Sequence, residues 1–233
     1  MTQRKKAVFN WSGGKDSALA LLKTLQDNEF DVVSLLTTIN EETLTSSVHN
    51  IPLAVLSRQA FSIGIPLYTV LFAANLNNYD DKMRETVEHF KQQGVTHFIF
   101  GDIFLQDIKA YRTDKLKPFG IAVVAPLWGK SSEEIIDSFL QSGIKAKIIV
   151  TQAEKLDETY IGKDLDQDTV YSFPDDVDLC GEHGEYHSLA YSGPLFKEKV
   201  EFSIVQTSKI SYDIQLDTGQ TKTFTYWQAE IEG

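Results

Sequence analysis

Two adjacent glycines, Gly13 and Gly14, lie between an apolar run, Ala7-Val8-Phe9-Asn10-Trp11, and a mainly apolar segment that continues to about Leu25. That order predicts a strand, a tight turn and a helix start. Glycine reaches backbone conformations closed to other residues and leaves its amides uncovered, so several N–H groups can converge on one anion. A helix beginning near Lys15 adds its positive dipole end and unpaired N–H groups. Lys15 brings a full charge, and Ser12 and Ser17 bring hydroxyls. Ser12-Gly13-Gly14-Lys15-Asp16-Ser17 therefore has the chemistry of a phosphate cradle, and equally that of a strand-to-helix turn with a serine N-cap. It is not a Walker A loop, because the Gly-x-x-x-x-Gly-Lys-Ser spacing is absent.

The rest of the chain constrains the fold further. Strands are predicted at 31–38, 67–72, 97–100, 121–125 and 145–151, separated by helices over 52–63, 77–93, 106–117 and 131–141. Such alternation predicts an α/β fold, a doubly wound parallel sheet with helices on both faces. Beyond residue 151 the pattern changes: 152–178 is acidic and irregular, 178–188 is rich in Gly and Glu, and 200–205, 212–216 and 221–227 alternate like strands. Asp217-Thr218-Gly219 suits a hairpin turn. Two units are expected, 1–151 and a smaller α+β unit, 152–233, packed closely because no low-complexity linker separates them.

Charge and cysteine count exclude several function classes. The formal net charge of −11 disfavours broad attraction to nucleic acid or an anionic membrane. No run approaches the roughly 20 apolar residues that span a bilayer, and the basic N-terminal residues precede no apolar stretch of signal-peptide length. A single cysteine, Cys180, allows no intramolecular disulfide. A soluble cytoplasmic protein is expected, and a homodimer stays open.

Ser12 to Ser17 resembles the pyrophosphate-binding loop of the N-type ATP pyrophosphatases, the PP-loop enzymes. Gly101-Asp102-Ile103, Pro126-Leu127-Trp128, and above all Cys180-Gly181-Glu182-His183-Gly184-Glu185-Tyr186-His187-Ser188 followed by Gly193-Pro194-Leu195-Phe196 are similar to elements of the diphthine–ammonia ligase family. Gly181-Glu182-His183-Gly184-Glu185 resembles the bacterial branch of that family, which implies an acyl substrate other than diphthine. The resemblance spans about 7 to 200 and implies an ATP-dependent, amide-forming ligase. In such an enzyme ATP activates a carboxylate as an acyl adenylate, pyrophosphate leaves and ammonia displaces AMP. Two other classes are weighed beside it, an ATP-binding sensor without turnover and a tRNA-modifying PP-loop enzyme. The acidic balance and the lone cysteine speak against the latter.

The same resemblance places ATP and Mg²⁺ on Ser12, Gly13, Gly14, Lys15, Asp16 and Ser17. Asp16 is the hard oxygen ligand for the metal, or else a favourable charge in a first helical turn. Thr37, with its neighbour Thr38, offers backbone groups to adenine. Gly101 and Asp102 follow a strand end and would face the crevice, where Asp102 binds nucleotide, metal or substrate, or simply caps a helix. Glu182 and Glu185 are candidates to bind or deprotonate ammonium or to recognise a substrate amine; solvated loop charges are the alternative. Arg112, in a basic group with Lys109, Lys115 and Lys117, could pair with a phosphate or a substrate carboxylate if it faces the crevice. Lys163 follows a glycine where relatives carry a basic residue, and it joins the substrate-binding set. Cys180, His183 and His187 do not have a zinc-site spacing, and Cys180 reads as a packed thiol.

Overall fold

The computed structural model describes residues 3–47, 49–73, 78–104, 106–215 and 221–233. Five of the apolar runs become β1 (Lys5–Asn10), β2 (Phe30–Asn40), β3 (Leu67–Phe72), β4 (His97–Ile99) and β5 (Ala122–Val124). They form one parallel sheet in the order β3-β2-β1-β4-β5. Between and after them run α1 (Lys15–Asp27), α2 (Leu53–Ile63), α3 (Tyr79–Gln92), α4 (Gln106–Leu116) and α5 (Ser132–Ser142). Alternation along β1 shows how the sheet is buried on both faces. Ala7 and Phe9 enter a core with α1, α2 and α5, whereas Val8 enters a second core with α3 and the end of α4.

The strand order reverses direction at β1. Its successor β2 lies on one side and β4 on the other, so the loops after β1 and β4 diverge and leave a crevice at the carboxyl edge. Gly101 closes that crevice's floor. A Cβ there would lie 3.0 Å from Ser17 Cα and from Ser17 N, so only glycine lets the segment after β4 approach the start of α1 this closely.

A second sheet is antiparallel, with β6 (Lys145–Gln152), β7 (Tyr186–Ser192), β8 (Ser203–Gln215) and β9 (Thr221–Glu232) in the order β7-β6-β9-β8. The strand read at 145–151 as part of the parallel sheet is thus β6, antiparallel to both β7 and β9. A buried strand carries the same apolar signature in either kind of sheet, and only its partners decide. The sheets change between β5 and β6, ahead of the division placed at 151. The runs read separately at 200–205 and 212–216 belong to one long strand, β8, paired with β9. The expected turn at Asp217-Thr218-Gly219 lies outside the described residues. Between β6 and β7 the chain holds a short helix, α6 (Gln167–Tyr171).

No linker separates the sheets because they share a core. Phe9, Trp11 and Leu21 of the first unit bury in the same cluster as Ile148, Leu189 and Ala229 of the second. Large side chains among them, such as Phe9, Leu21, Ile148 and Leu189, each contribute about 1.5–3 kcal/mol when fully buried. Among the described residues no helix is long and apolar enough to cross a membrane.

Candidate active site

The crevice is a cavity of ≈ 990 Å³ bounded by both sheets. Its base is the loop between β1 and α1. Gly13 takes φ +84, and an added Cβ would meet Leu56 Cδ2 at 2.9 Å and Gln59 Oε1 and Ile51 Cδ1 at 3.0 Å. Position 13 therefore demands glycine on both conformational and steric grounds. Gln59 of α2, fully buried, fastens the turn. Its amide nitrogen donates to Gly13 O at 3.0 Å and Ala190 O at 2.6 Å, while its carbonyl accepts from Trp11 Nε1 at 2.9 Å. Ala190 of β7 donates back to Gly13 O at 2.9 Å. The loop is thus gripped by the second sheet as well as by its own.

The amides at the start of α1 already point at oxygens. Gly14 N donates to Ser12 Oγ at 3.3 Å and Lys15 N to Ser188 Oγ at 3.2 Å. Ser17 Oγ lies 3.0 Å from Ser12 Oγ and donates to Gly14 O at 3.1 Å. Lys15 is 3% exposed, with its ammonium 2.7 Å from Asp16 Oδ2, hydrogen-bonded to Cys180 O and 5.0 Å from the centre of the Tyr186 ring. Burial, the largest single influence, favours loss of its proton, but the Asp16 carboxylate together with the neighbouring Tyr186 and Cys180 groups opposes it, and the net Lys15 pKa lies above that of an ordinary lysine. The other Asp16 oxygen, Oδ1, is buried with no hydrogen-bond partner among the described residues. An orphaned hard oxygen beside an anion cradle fits one ligand of a Mg²⁺ ion that takes its remaining ligands from phosphates and water. Among the described residues no group of three His, Cys, Asp or Glu side chains is arranged to hold a metal.

The opposite wall is the loop from Asp178 to Glu185. Its two glutamates differ. Glu185 is 3% exposed, and its carboxylate accepts from Asp178 N at 3.1 Å and His183 N at 3.0 Å, so it shapes the loop from behind. Glu182 lines the cavity. Burial first, then the nearby Asp16 carboxylate, pushes the Glu182 carboxyl up to about 7. Asp178, which the sequence did not single out, organises the turn: its carboxylate accepts from Cys180 N at 2.9 Å, Glu182 N at 3.2 Å and Ser132 Oγ at 2.6 Å. Cys180 donates its thiol to Ser132 O, and burial pushes that thiol up to about 12, which leaves it un-ionised at neutral pH.

Thr37, Gly101, Asp102 and Arg112 line the cavity with Ser12, Gly14, Lys15, Asp16 and Ser17. Arg112 pairs with Asp102 and lies 4.2 Å over the Phe100 ring. An apolar recess beside them is formed by Met83, Val87, Phe98 and Phe100. Lys163 is not in the cavity; it is exposed, with its ammonium 4.3 Å over the Tyr160 ring. Ser188, Tyr186 and His187 continue the motif and all line the cavity, a placement readable from their proximity to Glu182 once β7 is recognised. Gln59 and His49 carry no local signal, since they reach the site from elements distant in sequence.

Two models of diphthamide synthase, its N-terminal and C-terminal domains, match residues 5–117 and 131–221. The chain belongs to the diphthamide synthase family. Curated relatives named diphthine–ammonia ligase include a Bos taurus protein, 30% identical over 62% of this chain and 54% of its own length. A Homo sapiens protein of that name is 30% identical over 56% and 50%, respectively. The match thus spans about half the length of these two relatives. A Danio rerio protein of the same name is 22% identical over 84% of this chain and 86% of its own. The solved structure titled "predicted subunit of tRNA methyltransferase" from Methanocaldococcus jannaschii superposes with a TM-score of 0.47 at 14% identity, over 82% of this chain and 98% of that one. The two diphthamide synthase models meet in space at the cavity, with the loop of residues 12–17 in one and that of 178–188 in the other.

Proposed function

We propose that this chain is an ATP-dependent ligase that joins ammonia to a small carboxylate through an acyl adenylate, releasing AMP and pyrophosphate. The observation that carries the proposal is a carboxyl held near neutral pH, Glu182, lining the same cavity as a buried cationic anion cradle. The names of the bovine and human relatives support the same chemistry.

The cradle of Ser12, Gly13, Gly14, Lys15 and Ser17 receives the β- and γ-phosphates, and the buried Lys15 charge favours their departure as pyrophosphate. Asp16, through its unpaired Oδ1, would hold Mg²⁺, whose charge would offset that of the phosphates. Backbone groups at Thr37 and the apolar recess at Phe98 and Phe100 receive adenine. A substrate carboxylate oxygen, drawn by Arg112, attacks the α-phosphorus. Glu182 then accepts a proton from ammonium, the freed nitrogen attacks the acyl carbon, AMP leaves with the former carboxylate oxygen, and the surplus proton on the new amide nitrogen passes to solvent. A base near the operating pH suits this proton transfer.

The test uses ATP labelled at the α-phosphate with Mg²⁺, ammonium and a panel of carboxylates. Labelled AMP that requires both ammonium and one carboxylate is the expected result. Labelled ADP, or AMP formation indifferent to ammonium, would overturn the proposal.

A further inference from the structure

Beside the cradle, two imidazoles meet, with no acidic hydrogen-bond partner among the described residues. His49 lies in the loop that follows β2, and His187 lies on β7 between Tyr186 and Ser188. Their ring centres are 4.5 Å apart at 90°, and both line the cavity with Lys15. The His49 loop is folded back on the end of β2: Asn40 Oδ1 accepts from Glu42 N and Thr43 N, and Ser46 N donates to Ile51 O at 2.8 Å. His187 is fixed just as firmly, because Ser188 Oγ holds the Lys15 amide and the Tyr186 ring lies under the Lys15 ammonium.

Among the described residues the full charge that acts on the pair is Lys15, whose ammonium is itself 2.7 Å from the Asp16 carboxylate. Lys15, from α1, acts on both rings, and His187 acts on His49. No carboxylate contributes among the described residues. Burial first, then mutual opposition to a second charge in the pair and the Lys15 ammonium, holds His49 well below the usual imidazole range, while burial and Lys15 bring His187 down to about 4, so both rings are neutral near pH 7.

We propose that His49 and His187 are the anion-responsive side of the phosphate cradle, taking up one proton between them when the triphosphate of ATP enters and donating hydrogen bonds to its oxygens. This rests on the assignment of ATP to the cradle. The proton comes from solvent. One proton is shared because two like charges at this spacing oppose each other, and the pair titrates as a unit. Nucleotide binding is thereby linked to proton uptake, and product release to proton loss.

Calorimetry of α,β-methylene ATP with Mg²⁺ tests this at about pH 7.5, in buffers of low and high ionisation enthalpy. The expected result is that H49Q/H187Q takes up about one proton per nucleotide fewer than the unaltered protein and binds roughly tenfold more weakly. Glu182 faces the same cavity and would also respond to an anion, so E182Q is the control: the pair's share of the uptake, about one proton, is retained in it. Uptake of zero, uptake unchanged in H49Q/H187Q, or uptake abolished by E182Q would each overturn the role of the pair. Absence of nucleotide binding would overturn the ATP assignment and this inference with it, whereas binding without uptake overturns the inference alone. Nitrogen-15 NMR of the histidine rings reads the unaltered protein. Ring nitrogens moving from neutral to imidazolium shifts on adding the analogue support the proposal, and unchanged shifts overturn it.

Discussion

Glu182 and Glu185 stand three positions apart in one glycine-bearing loop, and nothing in their residue type separates them. Backbone amides do. Those of Asp178 and His183 claim both Glu185 oxygens, while Glu182 is left to face the cavity. The carboxyl at about 7 has consequences on both sides of the stability–activity balance. Since the ordinary value is 4.5, the native state holds more protons than the unfolded chain between those limits, and stability falls as pH rises through that window. Glutamine never ionises. Glu182→Gln should therefore lower AMP formation by about 10²–10⁴-fold. The same variant should be more stable above pH 7 by about 1–2 kcal/mol, after discounting for partial exposure. That gain corresponds to a melting temperature higher by about 2–8 °C, which calorimetry at high and low pH would check. If the proposed reaction holds, kcat/KM of the unaltered protein should rise with pH through about 7 and then level off, as Glu182 loses its proton; a flat profile would remove Glu182 from the role of base.

At the scale of elements, α2 and α4 show two ways of holding a site. α2 buries Val55, Leu56 and Ala60 and projects Gln59 into the turn of the cradle. Gln59→Leu keeps the volume but leaves the buried Trp11 indole N–H without an acceptor, at a cost of about 1–3 kcal/mol. Urea unfolding would measure it, and nucleotide affinity should fall as well, because Gly13 and Ala190 lose a shared donor. α4 is different: among its described residues only Leu116 is buried. It is attached by the Arg112–Asp102 pair, the Lys115–Asp80 pair at 2.7 Å, and Lys109 over Trp128 at 3.9 Å. Amides of α4 should exchange hydrogen faster than those of α5, with the difference growing at high salt as screening weakens the pairs. The helix at 106–117 was legible from its bounds and its basic spacing, whereas its attachment was not, because ion-pair partners such as Asp80 lie on another element. β7 was missed because Tyr186 to Ser192 follows directly on a loop-like stretch of glycine and glutamate.

For the whole molecule, the cavity belongs to neither sheet alone, so a ligand there should bind only the assembled chain. A nucleotide analogue at about 100 times its dissociation constant should add ~2.7 kcal/mol to stability. The corresponding rise in melting temperature should shrink when Mg²⁺ is chelated and disappear in Lys15→Ala. An undiminished rise in that variant would place the nucleotide elsewhere. By itself the sequence determined the strand-turn-helix at Gly13 and Gly14, the alternation that makes a parallel sheet, and the chemistry of the two motifs, because these depend on neighbours within a few residues. Tertiary structure alone decided that β6 joins the antiparallel sheet, that Glu182 rather than Glu185 faces the cavity, that Lys163 lies outside it, and that His49 meets His187. Each of those outcomes turns on contacts between residues far apart along the chain, where a side chain's type leaves open which partner it finds.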